Sequence, residues 1–429
     1  MFRENEKYLL KVSQFIEPIL VSGNGCYVSD ADGKRYLDLN SGQFCLCLGH
    51  NHEEFRDLID SQLKKIYHTN TQTLTPEVFL AAKDIANIMG DNLQKTIFLS
   101  TGSEANECAL RYARHVTKKN IVVGMNKGYH GLTLASQALT MGGLGARPQQ
   151  DEYNLSMDCE GNNPDDELEE LIKKSNNSIA AVILEPIIGA GGMVYLDESF
   201  VQKIRRVCTQ HDILLIFDEC QTGFGRTGKW FAFQHFDFTP DIVVCAKSMG
   251  MGFAVSSVTF TSEVAEKIER NVHFFSQMKN DPLSCLESMG DFIPPHYCSH
   301  QNDPLSCVIV SFVIRTIKEN GLLDKISSLG EYFLERLKHL SSKFPLVLNP
   351  RGLGLMLSFD FPLDVLIKFP STPKDFLLEL EKRGVLLQAI RKGLTFRLLP
   401  AYTITQNDID FFVSQTEAAL SAVCKQYDL

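Results

Sequence analysis

DILLIFDECQTGFGRTG, residues 212–228, is a short apolar run that ends on a carboxylate and then breaks into glycines. An Ile- and Leu-rich run too short for a helix reads as a strand buried on both faces. A second run of the same build, DIVVCAKSMGMG at 241–252, ends on Lys247. A lysine at the mouth of a buried strand, followed by small flexible residues, suits a Schiff base, because desolvation favours its neutral, nucleophilic form. Asp218, at the end of the earlier run, suits a pyridinium nitrogen. Together they describe a site for pyridoxal phosphate, in which lysine holds the aldehyde and aspartate keeps the ring nitrogen protonated, so that the ring acts as an electron sink.

Outward from these two runs the pattern repeats. TIFLS (96–100), NIVVGM (120–125), IAAVILE (179–185) and SSVTFTS (256–262) are further short apolar runs. Helical patterns such as Glu104 to Thr117 and Glu198 to His211 separate them. Strands alternating with helices predict an α/β fold with a mostly parallel sheet flanked by helices. Upstream, GNGCYVSDADGKRYLDLNSGQ (23–43) reads as a hairpin turning at Asp32 and Gly33. Downstream, helical stretches at 309–343 and 374–384 flank the strand-like pieces GLMLSFDF and LTFRLLP. The expected division is an N-terminal segment (1–48) and a C-terminal part (313–429) forming a smaller α+β domain, with the cofactor-binding domain at 49–312. NDPLSC occurs at 280–285 and again at 302–307, so 276–298, with its Pro-Pro pair, reads as an insertion.

Composition bounds the function. The chain has 429 residues, 44% hydrophobic and 22% charged, with a net charge of −10 and a pI near 5.6. That balance argues against a nucleic-acid partner, which needs a clustered Lys/Arg excess. The start, MFRENEKYLLKV, has no apolar h-region, and the stretch Cys307 to Ile314 is too short for a bilayer, so a cytoplasmic enzyme without membrane contact is expected. The 12 cysteines sit largely inside apolar runs and read as reduced core thiols rather than metal ligands. Asp218, Glu219 and Cys220 do not converge on an ion either, because adjacent strand residues face opposite ways. No metal is expected.

STGSEANE, Ser100 to Glu107, falls where a strand ends and a helix begins. Gly102 permits close backbone approach, Ser103 is placed to cap the helix, and the free amides there favour a phosphate. On its own the segment reads more readily as an ordinary serine cap, since capping boxes are common. In GYHG (128–131), Tyr129 is placed to stack on a flat ring, and His130 follows it.

Taken with LDLNSGQ, LGHNH, LEPI and SHQNDPLS, these motifs resemble the class III pyridoxal phosphate aminotransferases of fold type I over almost the whole chain. Within that family the chain looks most like the 2,2-dialkylglycine decarboxylases, which couple decarboxylation to transamination. The resemblance implies that Thr101, Gly102, Ser103 and His130 belong to the cofactor cradle and that Tyr129 stacks on the ring. It gives Asp218 the ring nitrogen, Gln221 the phenolic oxygen and Lys247 the covalent bond. Ser299 would reach the phosphate of a neighbouring subunit, implying a homodimer or a dimer of dimers. Arg397 would grip the substrate carboxylate, Glu185 would stand on the substrate side, and Gln43 would hold a carboxylate in the leaving position. Ala190 stands where the decarboxylases carry serine, and Tyr129 where they carry tryptophan. The expected activity is therefore amino transfer from an amino acid or amine to a 2-oxo acid, with or without decarboxylation. The alternative is a cofactor-binding protein silenced by the 276–298 insertion.

Overall fold

The apolar runs fold as strands of one sheet: β1 (Leu93–Leu99), β2 (Ile121–Met125), β3 (Asn154–Met157), β4 (Ile179–Leu184), β5 (Leu214–Asp218), β6 (Ile242–Cys245) and β7 (Ser256–Thr261). Their spatial order is β1-β7-β6-β5-β4-β2-β3. β7 runs antiparallel to both neighbours, while the pairings from β6 across to β3 are parallel. This is the mostly parallel α/β sheet that the alternating pattern predicts. β3 was not among the expected strands. It lies at the sheet edge and contributes NLSM, whose Leu and Met are too few for a run. The computed structural model of the chain describes residues 2–10, 12, 18–140, 153–161, 163–278 and 296–429. The first NDPLSC copy and most of the expected insertion lie outside the described residues.

Each inner strand is buried on both faces, because crossover helices cover both. Ile216 packs with Ala105, Ala109 and Ala181 on one side of β5, while Leu215 and Phe217 pack with Val182, Ile204 and Val243 on the other. The helix Gly102–Thr117 uses small residues on its inner face, including Ala105, Ala109 and Ala113, so it lies close against the sheet. The helix Glu198–Gln210 buries Val201, Ile204 and Cys208 at helical spacing, and its cap Asp197 accepts from Ser199 N.

The predicted hairpin forms, with Tyr27 opposite Leu37. Val385–Leu386 then joins Arg35–Asp38 in parallel, so the two ends of the chain share a sheet. Met356–Asp360 pairs with Thr395–Leu398, which puts Arg397 opposite Ser358 on one side and Gln388 on the other. The boundary expected at 312 falls inside the continuous helix Pro304–Glu319. Among the described residues all cysteines are free, and no helix is long and apolar enough to cross a membrane.

Candidate active site

β5 and β6 are parallel neighbours, so their carboxyl ends open on the same edge of the sheet, where α/β proteins form their sites. Asp218 is the last residue of β5, and Lys247 stands just past β6 at the start of a single 3-10 turn. Lys247 has φ of 50°, a left-handed conformation that a long side chain adopts only when its surroundings impose it. Both residues line a cavity of about 860 Å³. Tyr129, Glu185, Gln221, Gln43 and Arg397 line the same cavity.

Asp218 is held from behind. Its Oδ2 accepts from His130 Nδ1 at 2.8 Å and from Asn106 Nδ2 at 2.8 Å, and its Oδ1 accepts from Cys220 N at 3.1 Å. Burial alone would raise the carboxyl pKa, but the bond and charge of His130, with Cys220 and Lys247, outweigh it and hold Asp218 below the usual carboxylate range. His130 shifts the other way: burial opposes its charge, yet Asp218 raises it above the ordinary imidazole value. Each group thus favours the charged form of the other. His130 stands behind the aspartate rather than on the cavity wall. Glu219 confirms the alternation expected of a strand end, turning away to accept from Thr222 Oγ1, Ala232 N and Phe233 N.

The helix beside this network starts at Gly102, and its cap is Thr101, whose Oγ1 accepts from Glu104 N. This corrects the expectation that Ser103 caps the helix; Ser103 lies within its first turn, two residues too late to accept from those amides. Gly102 does permit a close approach. A Cβ there would lie 2.9 Å from Cys220 Sγ, and Cys220 is on the cavity wall. Gly189 lies against the Gln221 side chain, whose amide would have to move to admit a Cβ there. Ser299 is exposed, in the turn before the helix Pro304–Glu319, and away from this cavity.

Across the cavity, Glu185 accepts from Tyr129 N at 2.6 Å and Gly189 N at 3.2 Å. Burial nevertheless pushes its carboxyl up to about 7, against the pull of His130. Arg397 is buried too; burial lowers it to about 10, and Glu185 opposes that shift. Its guanidinium lies 4.6 Å over the Phe44 ring and donates to Gln388 Oε1. Gln43 sits exposed at the cavity, on a segment with φ of 42° at Ser41, 69° at Gly42 and 65° at Phe44. Asp38 pins that segment by accepting from Asn40 N at 2.9 Å, Gly42 N at 3.0 Å and His50 Nε2 at 2.9 Å. Ser41 Oγ donates to Leu399 O at 2.7 Å, tying Gln43's loop to the strand that carries Arg397.

Asn106, Asp38 and Gln388 escaped sequence reading. The one signal for Asn106 was a polar residue on the inner, alanine-rich face of its helix, and the partner that gives it meaning lies on another strand. The donor set fits pyridoxal phosphate. Asp218 is a buried, ionised acceptor beside a lysine, and Gly102 leaves open a helix start that a Cβ would crowd.

A family model described as aminotransferase class-III matches residues 11–420. An acetylornithine aminotransferase of Archaeoglobus fulgidus is 32% identical over 94% of this chain and 96% of its own length. An amine transaminase from an uncultivated Pseudomonas species, solved in its PLP-bound form, superposes with a TM-score of 0.85 at 25% identity, covering 97% of this chain and 99% of that one. A transaminase from the marine bacterium Virgibacillus shares the fold, with a TM-score of 0.87 over 99% of both chains at 24% identity.

Proposed function

The chain belongs to the class-III aminotransferases, and from that premise we propose that it moves an amino group from an amino acid or amine to a 2-oxo acid, with Lys247 as the residue that holds the cofactor. Its cofactor is pyridoxal phosphate. The observation that carries the site assignment is the Asp218–His130–Asn106 network, a carboxylate kept ionised in a buried setting on the cavity wall that Lys247 shares.

When bound, the cofactor supplies an electron sink for the substrate α-carbon. The chain's own residues do the rest. Asp218 keeps the ring nitrogen protonated, and His130 and Asn106 hold that carboxylate in place. Gln221 meets the phenolic oxygen, Tyr129 covers the ring face, and Thr101, Gly102 and Ser103 offer amides and hydroxyls to the phosphate. Lys247 would hold the cofactor and, as a free amine, would carry the proton at the substrate carbon. Arg397 takes the substrate carboxylate, a task that suits a planar guanidinium. Glu185 sets how much of Arg397's charge is left for it. Ser299 serves the phosphate of a second subunit, so the working unit is a homodimer. With this reading goes a division of the chain near residue 48 and again in the turn at Asn320–Gly321, after the helix that residue 312 would have split.

The decarboxylating version rests on Gln43, which lines the cavity, whereas Ala190 on the same wall offers no hydroxyl. Plain amino transfer is the better-supported reading. Single-turnover absorbance with alanine and with 2-aminoisobutyrate, following carbon dioxide at the same time, separates the two. Conversion by alanine without carbon dioxide supports plain amino transfer; carbon dioxide from 2-aminoisobutyrate makes the enzyme a decarboxylating one. No conversion by any amino donor would refute the activity.

A further inference from the structure

A second cavity, of about 1020 Å³, lies away from Lys247, between the helices Gly102–Thr117 and Ser262–Met278. Arg111, Arg114, His115 and Lys118 line it from the first helix and its C-cap, and Lys267 and Arg270 from the second. Positions 111 to 118 extend about 10 Å along one helix side, so the charges form a ridge rather than a point. In a chain of net charge −10, such a concentration is not a consequence of composition.

Part of the cluster has a structural explanation. Arg114 lies in the last turn, where a cation offsets the helix dipole, and it also donates to Asn120 O and Asn154 Oδ1. His115 lies there too, but burial and Arg111 hold its pKa below the ordinary imidazole value. Lys267 and Arg270 meet Glu263 and Glu266 on their own helix, exposed pairs of the kind that contribute little. Arg111 is different. It lies a turn earlier, and its Nε and Nη2 are buried with no hydrogen-bond partner. The half-buried guanidinium lies 5.3 Å over the Tyr112 ring and lines this cavity. The one acidic residue on the wall among the described residues, Glu107, is occupied, accepting from Ala135 N and Ser136 N. His296 lies on the same wall, paired with Glu104, and burial lowers its pKa below the ordinary imidazole value.

The lining also has an apolar part. Leu134 is 89% exposed and shares the wall with Val116 and Ala135. A row of cations beside an exposed apolar shelf fits a ligand that carries both phosphates and a flat apolar body. We propose that this groove binds a small organic polyphosphate of the nucleoside di- or triphosphate class, with Arg111 at its inner end and the ridge to Lys118 and Arg270 receiving the outer phosphates. The site is separate from the proposed amino-transfer site, since it uses the far half of the helix whose start faces the Lys247 cavity.

The test is calorimetric titration of the full-length, cofactor-loaded protein with ADP, then with inorganic tripolyphosphate, at low and high salt. The proposal predicts saturable, salt-sensitive ADP binding that is weakened about tenfold in Arg111→Gln, as expected for loss of a charge-assisted contact, and about threefold in Arg270→Gln. Turnover at the Lys247 site should not change in either variant. Arg270 is exposed, so its variant keeps the test decisive if Arg111→Gln does not fold. Absence of saturable ADP binding, equal binding by wild type and Arg270→Gln, or displacement of ADP by free pyridoxal phosphate would each overturn the proposal. So would tripolyphosphate binding without ADP binding, which would leave the apolar shelf without a role.

Discussion

His130 Nδ1 donates to Asp218 Oδ2 at 2.8 Å, and both side chains are almost wholly removed from solvent. The bond and charge of His130 offset the cost of burying that carboxyl and lower its pKa. Its lowered pKa means that Asp218 contributes stability above the unfolded carboxyl value, and that this is lost as pH falls through the folded value. Removing His130 raises the folded value. The acid limb of turnover in His130→Leu should therefore move to higher pH, while cofactor still binds. A pH-rate profile that superposes on wild type would show that His130 does not position Asp218.

Glu185 and Arg397 share the cavity, and burial has raised Glu185 to about 7. Below that value the carboxyl is neutral and Arg397 is free for a substrate carboxylate; above it the two charges compete. KM for a carboxylate-bearing donor should rise as pH passes through about 7 and should stay flat in Glu185→Gln. The same shift sets stability: the folded state holds a proton that the unfolded state releases near pH 4.5, so stability falls from there up to about 7. Full burial makes the loss on the order of 3 kcal/mol, and thermal melts of Glu185→Gln should lack it.

Gly102 faces Cys220 Sγ across a gap that a methyl group would close to 2.9 Å. Gly102→Ala should weaken cofactor affinity about tenfold or more by shifting the helix start. Adding Cys220→Ala should restore much of the loss, since the next contact, with Ala246 Cβ, is 3.5 Å away. Equilibrium dialysis of the cofactor against single and double variants measures both effects, and an uncorrected double variant would contradict the steric account.

Arg397→Lys keeps the charge but loses the planar fork and its seat over Phe44. KM for carboxylate donors should rise about a hundredfold, with a smaller change for simple amines. Equal effects on both donor types would remove the carboxylate role.

Much of this architecture was readable in the chain because parallel strands buried on both faces announce themselves as uninterrupted apolar runs. β5 and β6 could be placed, with Asp218 and Lys247 at their ends, before any coordinates. β3 could not, since an edge strand needs no such run and NLSM has none. The helix cap was read two residues late, because Thr101 and Ser103 both suit a cap and geometry alone chose Thr101. Asn106 and Asp38 stayed hidden for a different reason: each acts through groups that only the folded sheet brings near, the first on Asp218 and the second on the loop of Gln43.

The most direct test of the central assignment is to reduce the cofactor-loaded protein with borohydride and map the modified peptide by mass spectrometry. The account predicts a single pyridoxyl adduct on Lys247, lost in Lys247→Ala together with turnover. An adduct on Lys127 or Lys392, which line the same cavity, or turnover that survives in Lys247→Ala, would contradict it.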